Sequence, residues 1–118
     1  MWKDSWDPDC KADFQAWMAT KPQPPVLLRQ ACARFLCNFR ESYLFHGPPE
    51  DAQRHDVFKL NGNQIWLFGF TAAYGSICMY VGVCEESNEM RMLIFGPGDK
   101  HESLSLAKQR CKNWKLIN

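Results

Sequence analysis

The chain has 118 residues, of which 46% are hydrophobic, 14% aromatic and 23% charged, a balance that excludes a disordered segment and suits one domain with its own core. Its formal net charge is only +1, so the field of the whole molecule gives no argument for nucleic acid. No run approaches the roughly 18 apolar residues of a membrane span, and Met1-Trp2-Lys3-Asp4-Ser5-Trp6 lacks the apolar region of a secretory signal, which predicts a cytoplasmic protein without a membrane partner.

Asp7-Pro8 is a helix start: Asp can cap, and Pro at the first helical position gives up a donor that has no partner there. Cys10, Phe14, Trp17 and Met18 follow at helical spacing and predict one apolar stripe. Lys21 to Pro25 breaks it, and Pro24-Pro25 starts a second helix with Leu28, Cys32, Phe35, Leu36 and Phe39 on one face and Arg29, Arg34 and Arg40 toward water. The two helices form an αα-hairpin. Tyr43 to Arg54, centred on Gly47-Pro48-Pro49, reads as a loop.

The period then changes to that of strands. Val57-Phe58-Lys59-Leu60 runs into Asn61-Gly62, a two-residue hairpin signal because both turn positions need positive φ, and Ile65 to Thr71 returns. Ala72-Ala73-Tyr74-Gly75 turns again. Ser76 to Cys84 is apolar on both faces, as a covered central strand is; Glu85-Glu86-Ser87-Asn88 is a polar turn, Met90 to Phe95 a further strand, and Gly96-Pro97-Gly98 ends it. Asp99 with Glu102 makes a capping box for a last helix carrying Leu104, Ala107, Cys111 and Trp114 on one side and Lys108, Arg110, Lys112 and Lys115 on its flanks. The expected fold is a single α+β domain over 1–118: an N-terminal helical hairpin, a three- to four-stranded antiparallel meander sheet and a C-terminal helix.

Six cysteines, Cys10, Cys32, Cys37, Cys78, Cys84 and Cys111, show neither Cys-x-x-Cys nor Cys/His spacing for zinc, and all fall within apolar patterns. They read as buried thiols in a reducing compartment, with no metal and no cofactor. Trp17, Trp66, Phe68, Phe70 and Trp114 are assigned to the core. Charge is unevenly spread: 100–118 carries +4 and the rest −3, which an anion-binding edge or a solvated helix face would both give.

In this order of elements the chain resembles the RelE/HigB/ParE superfamily of toxin–antitoxin toxins, bacterial proteins, and in particular its phage-derived HigB-like branch. Residues 7–17, Asp-Pro-Asp-Cys-Lys-Ala-Asp-Phe-Gln-Ala-Trp, resemble the opening "D-P-x-F-x-x-W" of the branch's first helix. Lys59-Leu60-Asn61-Gly62-Asn63-Gln64-Ile65-Trp66 is similar to its "K-x-L-x-G-x-L-W-E-L-R" hairpin. Met92-Leu93-Ile94-Phe95-Gly96 resembles "I-V-L-L-H-G-F", and residues 106–114 resemble "A-x-x-R-x-x-D-Y" in the last helix. The family's first strand precedes its helical hairpin, where this chain has Met1 to Trp6. The arginine that ends "W-E-L-R" falls on Gly69 or Phe68 here, and the basic segment after the last strand is reduced to Pro97-Gly98-Asp99-Lys100-His101.

The resemblance implies a ribosome-associated mRNA endoribonuclease, which cuts by aligning a 2′-OH on the adjacent phosphate while cations stabilise the developing charge. Candidate catalytic residues are Lys100 and His101, beside a helix N-terminus that favours anions, and Lys59. Candidate RNA-binding residues are Arg54 and His55 at the hairpin entry, where the family holds phosphate-contacting cations, together with Arg91, Lys108, Arg110 and Lys112. Tyr74 and Tyr80 offer stacking faces, although core and turn roles suit them too. Against each stands a plain surface or edge-strand role. The thinned cations motivate an alternative: a non-catalytic protein-binding module of the same fold, or a decayed toxin. Partners implied are a cognate antitoxin, with ribosome and mRNA in the first reading. An apolar sheet face only partly covered by the last helix would receive an antitoxin segment or close by homodimerisation.

Overall fold

Asp7 and Pro8 start a helix as their chemistry requires. In the computed structural model, which describes residues 1–71, 77–97 and 100–115 apart from the side chains of 58, 70, 71, 100 and 101, the Asp7 carboxylate accepts from the backbone N–H of Asp9 and Cys10 at 3.0 and 3.1 Å. Helix α1 is Pro8–Met18 and α2 is Val26–Asn38, entered through Pro25. Arg29, Arg34 and Arg40 are exposed. Each helix buries one side only in part. Cys10 is the fully buried residue of α1, Ala31 and Cys32 are those of α2, and Phe14, Trp17, Leu28, Phe35 and Leu36 are half-buried.

The helix does not stop where a loop was expected. It passes through a π-helical turn, Phe39–Tyr43, and a last turn, Leu44–His46. Tertiary packing carries it on: the Tyr43 ring meets Phe68 edge-on at 5.8 Å, and Leu44 is buried. Gly47 ends it with φ +92°, a conformation L side chains rarely adopt, and a Cβ there would also stand 3.0 Å from the Trp2 indole nitrogen.

The strands are β1 Lys3–Trp6, β2 Asp56–Leu60, β3 Asn63–Thr71, β4 Ile77–Cys84 and β5 Glu89–Pro97. They form one sheet in the order β1-β5-β4-β3-β2. The last four make the expected antiparallel meander, but the sheet has a fifth strand: β1 pairs with β5 in parallel, Lys3 opposite Glu89 through Trp6 opposite Met92. At the other edge, Asn61 and Gly62 take φ 52° and 85° between Leu60 and its partner Asn63, the two-residue turn that matches strand twist. The expected turn at 72–75 and the Asp99 capping position lie outside the described residues.

The final helix, α3, is Lys100–Cys111; Trp114 packs just beyond it. Helices α1 and α2 lie on one face of the sheet and α3 on the other. All eight residues of β4 are buried and alternate between two cores. Ile77, Met79, Val81 and Val83 join Trp66, Phe68 and Phe95 beneath α1 and α2. Cys78, Tyr80 and Cys84 join Leu67, Leu93, Ala107, Cys111 and Trp114 beneath α3. A bulge beside Tyr80 and Val81 leaves Leu93 out of register, so that Leu93 and Ile94 both serve the α3 side. Gly82 admits Trp114: a Cβ there would lie 3.2 Å from the indole. The apolar sheet face expected to lie partly bare is therefore closed by α3 over its described residues. Cys37 also departs from expectation, being exposed while the other five thiols are buried, because it falls off the Leu28–Cys32–Phe35 stripe. Among the described residues no helix is long and apolar enough to cross a membrane.

Candidate functional site

The candidate cations are distributed over both faces of the sheet. Strand β2 sets the alternation: Asp56 turns toward α3, where its carboxylate stands 3.7 Å from Lys108 Nζ, so Val57 and the exposed Lys59 belong to the opposite face. Arg54 also lies on that opposite side. Its guanidinium sits 4.3 Å over the Trp66 ring and donates to Glu85 Oε1 at 2.9 Å, which also accepts from the Trp66 indole N–H at 3.0 Å. Aromatic ring and carboxylate both hold the charge. With Glu50, Glu85 and Glu86 around the shallow clefts beside it, this neighbourhood repels phosphate.

His55 lies before β2, its backbone N–H bonded to the Leu67 carbonyl and its ring 5.6 Å from the buried Tyr80. The Tyr80 ring occupies the space beside Gly69. A Cβ at Gly69 would come within 2.3 Å of the ring and 2.5 Å of the Met79 carbonyl oxygen. No side chain fits there, least of all an arginine. The neighbouring Phe68 is 1% exposed in the opposite core.

Arg91 lies half-buried on the α3 face near the β1 edge. Its Nη1 donates to Ser5 Oγ at 3.0 Å, and its Nε is buried without a hydrogen-bond partner. Lys112 is exposed after the last turn of α3. Lys100 and His101 are the first two residues of α3, and their side chains lie outside the described residues, as does Tyr74.

Arg110 corrects the sequence reading most sharply. Placed among flanking cations, it is instead 9% exposed, donating to the Leu93 carbonyl at 2.9 Å and to Asp13, with Asp7 Oδ1 3.7 Å from its Nε. Its charge is answered by two carboxylates of α1 and its cap, so it fastens α3 to α1 across β5. The Asp7 capping role was visible in sequence; its pairing with a residue a hundred positions later was not. A cavity of ≈ 200 Å³ beside this pair is lined in part by Asp13, Trp17, Ser103 and Arg110.

Three of the buried thiols are poor nucleophiles at neutral pH. Burial pushes Cys10 up to about 12, against the lowering effect of nearby Arg110, and burial likewise takes Cys111 to about 12 and Cys32 to about 11. Among the described residues, no group of three or more His, Cys, Asp or Glu is placed to hold a metal. Sequence reasoning also missed a cleft between α1 and the end of α2, ≈ 550 Å³ in volume, with Trp6, Phe14 and Leu36 inside and Lys11, Gln15 and Arg40 around it. Comparison with protein-family models, curated proteins and solved structures finds no match.

Proposed function

We propose that this chain is a partner-binding protein of RelE-like fold, akin to the toxins of toxin–antitoxin systems but not itself an RNA-cutting enzyme. The observation that carries the reading is Gly69. At Gly69, one of the two positions on which the resembling family's strand-end arginine falls, the Tyr80 ring and the Met79 carbonyl leave no room for a Cβ, and at the other, Phe68 is buried in the opposite core. Five of the other candidate cations do not compensate. Arg110 and Arg54 are committed to carboxylates, Lys108 faces Asp56, and Lys59 and Arg91 belong to opposite faces of the sheet. Stabilising a phosphorane-like charge needs donors converging on one point, and these diverge. The RelE-like fold itself is supported by a strand at Lys3–Trp6 ahead of the helical hairpin, where the resemblance calls for one.

The second reading, a ribosome-associated mRNA endoribonuclease, draws on Lys100 and His101 at the start of a helix of 12 residues. Expression of the chain alone in a bacterial host separates the two. The proposal expects unimpaired growth, intact mRNA and no co-sedimentation with ribosomes. Growth arrest with cleaved mRNA, abolished by Lys100→Ala with His101→Ala, would replace it with the enzyme. The partner in either case is a cognate antitoxin-like protein.

A further inference from the structure

The sheet face first expected to receive a partner is closed by α3, and the opening in the fold lies elsewhere, on the helical layer. The cleft beside α1 encloses ≈ 550 Å³, within the range of natural binding sites. Its interior is apolar, with Trp6, Phe14 and Leu36 all half-buried, and its rim carries Lys11 and Arg40, both exposed. Among the described residues neither cation has a carboxylate within ion-pair distance, and no acid lines the cleft.

Helical spacing extends this chemistry beyond the opening. Lys11, Phe14, Gln15 and Met18 share one face of α1, and Arg29, Leu36 and Arg40 recur along one face of α2 and its π-helical continuation. Helix α2 carries Arg29 and Arg34 and no carboxylate. The seven steps from Lys11 to Met18 rise about 10 Å, two turns of a helix. The α1 and α2 walls are helices whose backbone groups bond internally, so they meet a partner through side chains, as in a groove contact.

We infer that the cleft between α1 and α2 docks an acidic amphipathic helix of a partner protein, its apolar residues against Trp6, Phe14 and Leu36 and its carboxylates on Lys11 and Arg40. This rests on the partner-binding reading above and deepens it by naming the surface and the chemistry of the partner. Positive charge flanking an apolar floor selects the sign of the incoming helix, by attraction of one sign and repulsion of the other.

The experiment uses the full chain and two fluorescent helical peptides of about four turns, identical in leucine spacing at i, i+3 and i+7 and carrying either glutamate or lysine at the flanking positions. The expected result is binding of the glutamate peptide, with the lysine peptide weaker by about tenfold or more. The double variant Lys11→Glu/Arg40→Glu, checked for unchanged circular dichroism, is expected to invert that preference. Equal binding of both peptides, or a preference that survives the charge reversal, overturns the inference. Displacement of the peptide by micromolar decanoate assigns the cleft to a small amphiphile and overturns it too. So does a homodimer in light scattering that Arg40→Glu dissolves, which gives the cleft to a second copy. Growth arrest and mRNA cleavage by the unmodified chain would instead defeat the proposed function, and leave the charge-inversion result standing on its own.

Discussion

Replacing Arg110 tests how α3 is held to the rest of the fold. Arg110→Met keeps most of the aliphatic stem and deletes the guanidinium, which is 9% exposed and serves the Leu93 carbonyl, Asp7 and Asp13. The Asp7 carboxylate, 4% exposed, would then be a buried charge without a counter-charge. Removing one partner of such a pair costs about 3–5 kcal/mol. Asp7 keeps its two bonds from the Asp9 and Cys10 N–H groups, and the Asp13 side chain is 67% exposed and can turn to water, so the low end applies: about 3 kcal/mol. In urea, with a slope of about 2 kcal/mol per molar, the midpoint should fall by roughly 1.5 M with the slope unchanged. Asp13→Asn should cost under about 1 kcal/mol, as an exposed partner does. Asp7→Asn on the Arg110→Met background should restore part of the loss, since Asn still caps but carries no charge. A midpoint for Arg110→Met within experimental error of the parent would refute the reasoning, because the desolvation cost of the guanidinium would then cancel all that it holds.

Gly69→Ala places a Cβ against the Tyr80 ring and the Met79 carbonyl and should cost about 2–3 kcal/mol. That lowers Tm by roughly 10 °C in a scan, and an unchanged Tm would mean the close approach relaxes freely. Of the six thiols, Cys37 alone should react within minutes with an aromatic disulfide at pH 8, the remainder only after denaturation; rapid titration of two or more in the native chain contradicts the burial. Because unfolded thiols ionise near 9.0 while native Cys10 and Cys111 hold their protons to about 12, the unfolded chain binds fewer protons between those values and stability falls as pH rises. The loss is about 1.4 kcal/mol per thiol for each pH unit in that window. Comparing urea midpoints at pH 8.5 and 10.5 with those of Cys10→Ala/Cys111→Ala checks it, and identical slopes with pH would count against the effect.

What the amino-acid sequence determined by itself lay in short-range chemistry. Asp7-Pro8 starts a helix because a side-chain oxygen and a missing N–H act within three residues, and Asn61-Gly62 turns a hairpin because both positions accept positive φ. The unbroken apolar run of β4 announced a strand covered on both sides. Tertiary structure decided the remainder. Strand β1 has four residues and no alternation of its own, and it exists because β5 supplies a parallel edge. The helix runs on past Tyr43 because Phe68 packs against that ring. For the candidate site the difference is larger. A cation on a helix flank looks the same in sequence whether water or carboxylates surround it. Arg110 is paired with Asp7 and Asp13, far away along the chain, and the space beside Gly69 is filled by Tyr80 from the next strand. Lys11 and Arg40 meet over one cleft only because α1 and α2 fold back on each other. Charge identity is written residue by residue, whereas its solvation and its neighbours are properties of segments brought together by burial of the core, which local patterns do not encode.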